Sequence, residues 1–138
     1  MDHNAIRKLA EGYTEAWCSQ TPSEVASFYE DTGSLSVNGG PAAVGRSAIA
    51  DVARGFMNEF PDLKVHLNAL EFIDNEIRYH WTLTGTYTHQ NGIERKVRIS
   101  GYEVWEIGTS GLIANSKGQF DSEDYQRQLN GFQEDEPT

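Results

Sequence analysis

The stretch EIRYHWTLTGTYTH, residues 76–89, decides the fold because its side chains alternate between two chemical types with a period of two. One set is large and apolar: Ile77, Tyr79, Trp81, Leu83 and Tyr87. The other set contains Arg78, His80 and a run of threonines. Because neighbouring side chains of a strand point to opposite faces, the segment predicts one long strand. The alternation alone leaves open which face meets the rest of the protein.

Period-two patterns continue on both sides of this strand, over residues 64–72, 95–107 and from Leu112 onward. Short segments rich in Asn, Asp and Gly separate them, at residues 74–75, 90–92 and 108–111. Such segments are typical of hairpin turns. We therefore predict a mainly antiparallel sheet in which consecutive strands are neighbours.

The half of the chain that precedes residue 63 has helical periodicity instead. A first amphipathic helix runs from Ile6 to Trp17. The sequence Thr21, Pro22, Ser23, Glu24 predicts a capping box with proline at the first helical position, opening a second, short helix that extends through Tyr29. A third helix runs from Ser47 to Phe60, where Pro61 ends it, and residues 34–38 could form a short strand between the second and third helices. Helices followed by strands indicate an α+β fold.

Composition restricts the classes of partner. The chain has 138 residues, enough for one domain, which we assign to residues 1–132, and an acidic tail at 133–138 that we expect to be disordered. Eleven basic and twenty-one acidic residues give a net charge of -10, which argues against nucleic acid and anionic membranes. No stretch approaches the roughly 20 apolar residues of a membrane span, so we predict a soluble, cytoplasmic protein.

Two features of the strands suggest a functional site. Glu103 falls on the apolar face of the strand at 95–107, and an inward carboxylate is costly to bury unless it is paired or hydrated. In the last strand, Asn115, Lys117, Gln119 and Asp121 share one face. This polar face either points to solvent or lines a cavity.

Four phrases carry a resemblance to a known family: GRSAI at 45–49, FPDL at 60–63, WTLTGT at 81–86, and Phe120-Asp121 with the helix up to Leu129. Together with the order of elements, they resemble the SnoaL-like polyketide cyclase group of the nuclear transport factor 2 like superfamily, over residues 4–131. The resemblance implies a cone-shaped, cystatin-like fold, with three N-terminal helices packed in a curved sheet. It also implies a homodimer that pairs through the sheet.

The resemblance further implies a site. In these cyclases the aspartate that closes the last strand is the general acid/base of an aldol ring closure, without a metal or cofactor, and Asp121 occupies that position. We therefore expect acid/base chemistry on a small apolar or aromatic molecule, with Glu103 and His80 as secondary polar groups. The expected binding residues are Tyr13, Trp17, Tyr29, Phe56, Lys117 and Gln119.

Other branches of the superfamily match less of the sequence. Tyr13 and Glu103 match the oxyanion-binding pair of ketosteroid isomerases, but residues 36–38 lack the carboxylate that serves as their base. Limonene epoxide hydrolases use an Asp, Arg, Asp set, whereas this sequence has His80 at the arginine and Thr82 at one aspartate. These departures argue against both mechanisms.

Alternatives remain open for the site and for the function. Asp121 precedes a short helix and suits an N-cap, Cys18 is a lone cysteine in a helical pattern, and His3 and His66 have no partners at metal-ligand spacing. A non-catalytic ligand-binding protein or a dimeric interaction protein could use the same fold.

Overall fold

The computed structural model describes residues 2–130. Four helices and six strands follow one another along the chain: α1 His3–Cys18, α2 Pro22–Ala26, β1 Tyr29–Val37, β2 Ala43–Val44, α3 Arg46–Glu59, β3 Lys64–Ile73, β4 Glu76–Thr88, β5 Glu94–Ile107, β6 Ile113–Phe120 and α4 Ser122–Asn130. The predicted disordered tail at 133–138 and the last residues of the predicted domain lie outside the described residues.

Local signals set the ends of the helices. Asp2 caps α1, because its Oδ1 accepts hydrogen bonds from the backbone N–H groups of Asn4 and Ala5. Pro22 opens α2, which ends at Ala26, but the predicted capping box does not form, because the Thr21 side chain makes no cap hydrogen bond. The prediction that this helix extends through Tyr29 is wrong: two turn residues follow α2, and Tyr29 begins β1. The short strand predicted at 34–38 is the second half of that longer strand.

The sheet has the order β2-β1-β6-β5-β4-β3. From β3 to β6, consecutive strands pair antiparallel, as predicted. The first strand does not join β3: β1 pairs in parallel with β6, with Leu35 opposite Ser116. Register shifts between Leu67 and Ala69, and between Glu106 and Ile107, interrupt the ladders. Such irregularities bend strands, which suits a sheet that curves around its helices.

Burial identifies the inner face of the sheet. On β4, Ile77, Tyr79 and Leu83 are buried against the helices, while His80 on the other face is partly exposed. Trp81 pairs with Gly101 of β5, and Gly101 pairs in turn with Phe120 of β6. Thr82 is buried on the outer face, where it bonds with Asn68 and Ser100. The large apolar set of β4 therefore forms the concave face.

The helices cover this concave face. α1 and α3 bury apolar stripes that include Tyr13, Trp17, Ile49 and Met57. α4 packs on β5, with Tyr125 and Leu129 buried. No helix between residues 2 and 130 has both the length and the apolarity needed to cross a bilayer.

Candidate functional site

A cavity of about 60 Å³ lies between the helices and the concave face of the sheet. Its walls are almost entirely apolar, and Glu103 is the one acidic residue among those that line it. Besides Glu103, the lining residues are Trp17, Leu35, Val37, Val52, Phe56, Val65, Tyr79, Trp81, Leu83, Ile99, Gly118, Phe120 and Tyr125. Apolar cavities with a few convergent polar groups are typical of small-molecule sites, and this cavity is smaller than the roughly 300–1,000 Å³ that such sites usually have.

Glu103 is 8% exposed and holds its carboxyl group in a network of neutral donors. Its Oε1 accepts hydrogen bonds from Trp105 Nε1 at 2.8 Å, Ser116 Oγ at 2.8 Å and the Tyr13 hydroxyl at 3.0 Å. Among the described residues, only the Tyr13 hydroxyl donates a hydrogen bond to its Oε2, at 3.2 Å. The two oxygens therefore differ, and Oε2 retains room to carry or accept a proton.

Two tyrosines extend the network away from the cavity. The Tyr13 hydroxyl lies 2.9 Å from that of Tyr29, and both residues are fully buried. Burial raises the pKa of each phenol well above its ordinary value, and the nearby charge of Glu103 raises it further. Both hydroxyls therefore stay protonated, and Tyr13 can donate to Glu103. Neither tyrosine lines the cavity, although both were expected in the binding site.

Burial also raises the pKa of Glu103 above its ordinary value of 4.5, because desolvation disfavours the charged form. Hydrogen bonds from Trp105, Ser116 and Tyr13 oppose this effect by stabilising the carboxylate. No ion pair within residues 2–130 involves Glu103. A carboxyl group whose pKa is displaced toward neutrality can both take up and return a proton.

A pH dependence of stability follows from this pKa. The folded chain holds the Glu103 proton more tightly than the unfolded chain, so the contribution of Glu103 is most favourable below pH 4.5 and is lost as pH rises through the raised folded pKa. The loss is about 1.4 kcal/mol for every pH unit that separates the two pKa values. We expect the free energy of unfolding of the parent, minus that of Glu103→Gln, to fall between pH 4 and 8. A flat difference in urea unfolding would contradict the raised pKa.

The polar side chains of the last strand, β6, point away from the cavity. Lys117, Gln119 and Asp121 are exposed, and Ser34 donates to the Asn115 side chain at 2.7 Å. Inside, β6 offers Gly118 and Phe120 to the cavity and the Ser116 hydroxyl to Glu103. Of the two possibilities that the sequence left open, the outward orientation is the correct one. The expectation that Lys117 and Gln119 shape the cavity is therefore wrong.

Asp121 lies at the N-terminus of α4 and outside the cavity lining. Its Oδ1 accepts hydrogen bonds from the backbone N–H groups of Glu123 at 3.0 Å and Asp124 at 3.1 Å. This is N-cap geometry, and it satisfies donors that the helix leaves unpaired. The structure thus separates Asp121 from the pocket and leaves Glu103 as the carboxyl group beside it.

The cap makes a prediction about stability. Asp121→Ala should lower the free energy of unfolding by about 1 kcal/mol, whereas Asp121→Asn should change it by a few tenths, because asparagine caps nearly as well. Chemical denaturation of the parent and both variants measures the difference. Equal stability of parent and Asp121→Ala would show that the cap contributes nothing.

His80 lies on the convex face. Its Nε2 is 2.7 Å from Glu71 Oε1, and its ring lies beside that of Tyr102. Thr82 shares this face with His80. Since both residues point away from Glu103 and the cavity, neither can replace a pocket residue of the epoxide hydrolases. The expected role of His80 in the pocket is not supported by this placement.

The sequence as a whole decides the family. A family profile described as SnoaL-like polyketide cyclase matches residues 7–129. The chain belongs to this family. No curated protein sequence matches this SnoaL-like chain.

Solved structures share the fold of this SnoaL-like chain. TsrD from Streptomyces laurentii is 19% identical, with a TM-score of 0.79 over 96% of this chain and 99% of its own. SalBIII, an epoxide hydrolase/cyclase-like enzyme of pyran ring formation in salinomycin, is 12% identical, with a TM-score of 0.76 over 89% and 95%. A protein of ketosteroid isomerase-like fold from Catenulispora acidiphila is 10% identical, with a TM-score of 0.77 over 88% and 92%. The predicted nuclear transport factor 2 like fold is confirmed.

The helices of this SnoaL-like domain supply the remaining walls. Trp17 and Phe56, two of the predicted binding residues, line the cavity, with ring centroids 6.1 Å apart and an angle of 71° between the ring planes. Sequence reasoning missed Ser116 and Trp105, which bond Glu103, and Tyr125, which lines the cavity. For Trp105 a signal existed, because it lies two residues after Glu103 on the same strand face.

Metal-ligating side chains do not converge in the part of the chain that the structure describes. Within residues 2–130, no three His, Cys, Asp or Glu side chains come together in a way that could hold a metal ion. Cys18 packs against the backbone of Val65. The chemistry available to the cavity from these residues is that of one carboxyl group and its hydrogen-bond donors.

Proposed function

We propose that this SnoaL-like protein binds a small, largely apolar carbonyl compound in the cavity and that Glu103 moves a proton on it. The observation that carries the proposal is the position of a buried carboxyl group at the wall of an otherwise apolar cavity. An apolar ligand that displaces water from such a cavity strengthens the electrostatic effect of its single charged group.

The step we propose is a keto–enol shift. Glu103 Oε2 takes a proton from the carbon next to the carbonyl, the electrons of that C–H bond form a C=C bond, the C=O π pair moves onto the carbonyl oxygen, and that oxygen receives a proton. Glu103 can return its own proton to that oxygen, so the group ends as it began. Enolisation of this kind begins both double-bond isomerisation and the aldol ring closure of cyclases.

The network around Glu103 supports this assignment. Trp105 and Ser116 hold Oε1 at 2.8 Å each, which fixes the carboxyl group in one orientation. Tyr13 contacts both oxygens and can adjust as the proton arrives or leaves. Held side chains of this kind keep the reacting atom in place without reorganisation during the reaction.

Exchange of carbon-bound hydrogen tests the proposal directly. Compact cyclic ketones are incubated with the protein in D₂O, and deuterium uptake next to the carbonyl is followed by NMR, with urea-unfolded protein as the control. We expect uptake above the background rate for ketones that also raise the melting temperature. Ketones that bind without any uptake would favour a non-catalytic ligand-binding protein, and absence of binding would remove the proposal.

The homodimer remains a separate proposal. It rests on the family resemblance, and the convex face of β4 and β5 is the surface it would use. Sedimentation at micromolar concentration decides between monomer and dimer.

A further inference from the structure

Six aromatic side chains line the cavity beside Glu103. They come from five elements and the rings meet edge to face: Trp17 with Phe56, Trp81 with Phe120, and Phe120 with Tyr125, at centroid distances between 5.4 and 6.1 Å. Tyr79, the sixth, stacks on Trp105 at 4.7 Å. The π faces of aromatic rings carry partial negative charge, and walls made of several rings are the usual recognition site for alkylammonium ions.

Glu103 adds a second, independent argument. Three neutral donors converge on its Oε1. A neutral carboxyl group has little use for three donors on one oxygen, whereas an ionised carboxylate gains from each of them. The described residues nevertheless offer Glu103 no cation. The donors thus favour the charged form of Glu103, burial opposes it, and the described residues provide no positive charge that would offset the cost of burial.

We infer that the cavity takes a compact organic cation, a tertiary or quaternary alkylammonium group, between its aromatic walls and the Glu103 carboxylate. Size agrees with this class of ligand. A volume of about 60 Å³ holds roughly four to six water-sized groups. A trimethylammonium group has four non-hydrogen atoms. The net charge of -10 also favours the approach of cations over anions.

The inference uses the pocket of the proposed function but stands apart from its chemistry. It concerns the charge of the ligand, whereas the proposed function concerns a proton on carbon. An alkylammonium compound could therefore be the substrate, if it also carries a carbonyl group, or a competitor for the same space.

A pair of isosteric probes separates charge from shape. Choline has a quaternary nitrogen where 3,3-dimethylbutan-1-ol has a carbon, and the two are otherwise alike. NMR titration of the parent protein, observed at the tryptophan indole N–H signals, should give an affinity for choline about tenfold or more above that for the alcohol. Equal affinities, or tighter binding of the alcohol, would overturn the inference while leaving a site for neutral ketones.

Substitutions inside and outside the cavity test whether the cation binds there. Glu103→Gln should weaken choline about tenfold or more and leave the alcohol unchanged, whereas Glu106→Gln, exposed on the other face of the same strand, should affect neither. Phe56→Leu should weaken choline several-fold, and Phe72→Leu, outside the cavity, should not. If Glu103→Gln does not fold, two other results test the inference: the relative affinities of the two probes for the parent, and the effects of the two Phe substitutions on choline binding. Failure of both probes and of all ketones to bind would remove the inference and the proposed function together.

Discussion

Deuterium exchange on a bound ketone is expected to slow by about 10²–10⁴-fold when Glu103 is replaced by glutamine, the range that one acid/base group commonly contributes. Glutamine keeps the size of the side chain, and its oxygen can still accept hydrogen bonds from Trp105 and Ser116. It has no oxygen that can take up a proton. Ketone binding should therefore survive while exchange is lost.

Two controls sharpen this experiment. Asp121→Asn should leave the exchange rate unchanged, because Asp121 caps α4 outside the cavity, and Glu106→Gln should do the same. Exchange that persists in Glu103→Gln and disappears in Asp121→Asn would restore the aspartate suggested by the family resemblance and refute our assignment. Ligand-induced increases in melting temperature show whether each variant still binds.

Gly101→Ala is expected to lower the free energy of unfolding by about 3 kcal/mol or more, at the upper end of the cost of overpacking. A Cβ atom at this position would lie 2.2 Å from the backbone oxygen of Gln119, 2.7 Å from Trp81 Cζ2 and 2.9 Å from Phe120 Cβ. A backbone oxygen inside a sheet cannot move away as a flexible side chain can. The strand pair would have to separate, and the cavity wall formed by Trp81 and Phe120 would shift with it.

Gly55 provides the matched control in α3. A Cβ atom there meets nothing within 4 Å, so Gly55→Ala should stabilise the helix by about 0.5–1 kcal/mol. Urea unfolding of both variants measures the contrast. If Gly101→Ala were as stable as the parent, the close packing of β5 against β6 would be wrong.

Much of the fold could be predicted because the periodicity of apolar residues and the positions of helix-ending and turn residues agree along the chain. Pro61 ends the third helix and the turns separate four long patterns, so β3 to β6 follow from the sequence. Strand alternation also placed Glu103 inward, where the structure has it. The parallel pairing of β1 with β6 could not be predicted from alternation, because pairing between distant segments leaves no local periodic signal.

The orientation of β6 shows why the site was harder. Its inward set includes Ser116 and Gly118, small side chains that resemble a poor core face. Their small size leaves room for the acid: a Cβ atom on Gly118 would already be in ordinary van der Waals contact, 3.5 Å from Ser36 O and 3.8 Å from Glu103 Cγ, and the Ser116 hydroxyl donates to the carboxyl group. A strand that lines a cavity and contacts a buried acid therefore lacks large apolar side chains on its inner face, and its sequence resembles that of a solvent-exposed strand. The polar set of β6, which ends at Asp121, could therefore be taken for a cavity lining, although it points away from the cavity.

The pairing of β1 with β6 also bears on how the chain reaches its native state. Leu35 and Val37 line the cavity from β1, and Gly118 and Phe120 line it from β6, with most of the chain between these two strands. Contacts between such distant segments carry a large loop-closure entropy and slow folding. During synthesis on the ribosome, helices and hairpins can form early, but the binding cavity cannot close before β6 has emerged. A ligand can therefore stabilise the complete domain, but it finds no closed cavity to bind while only the first half of the chain has been made.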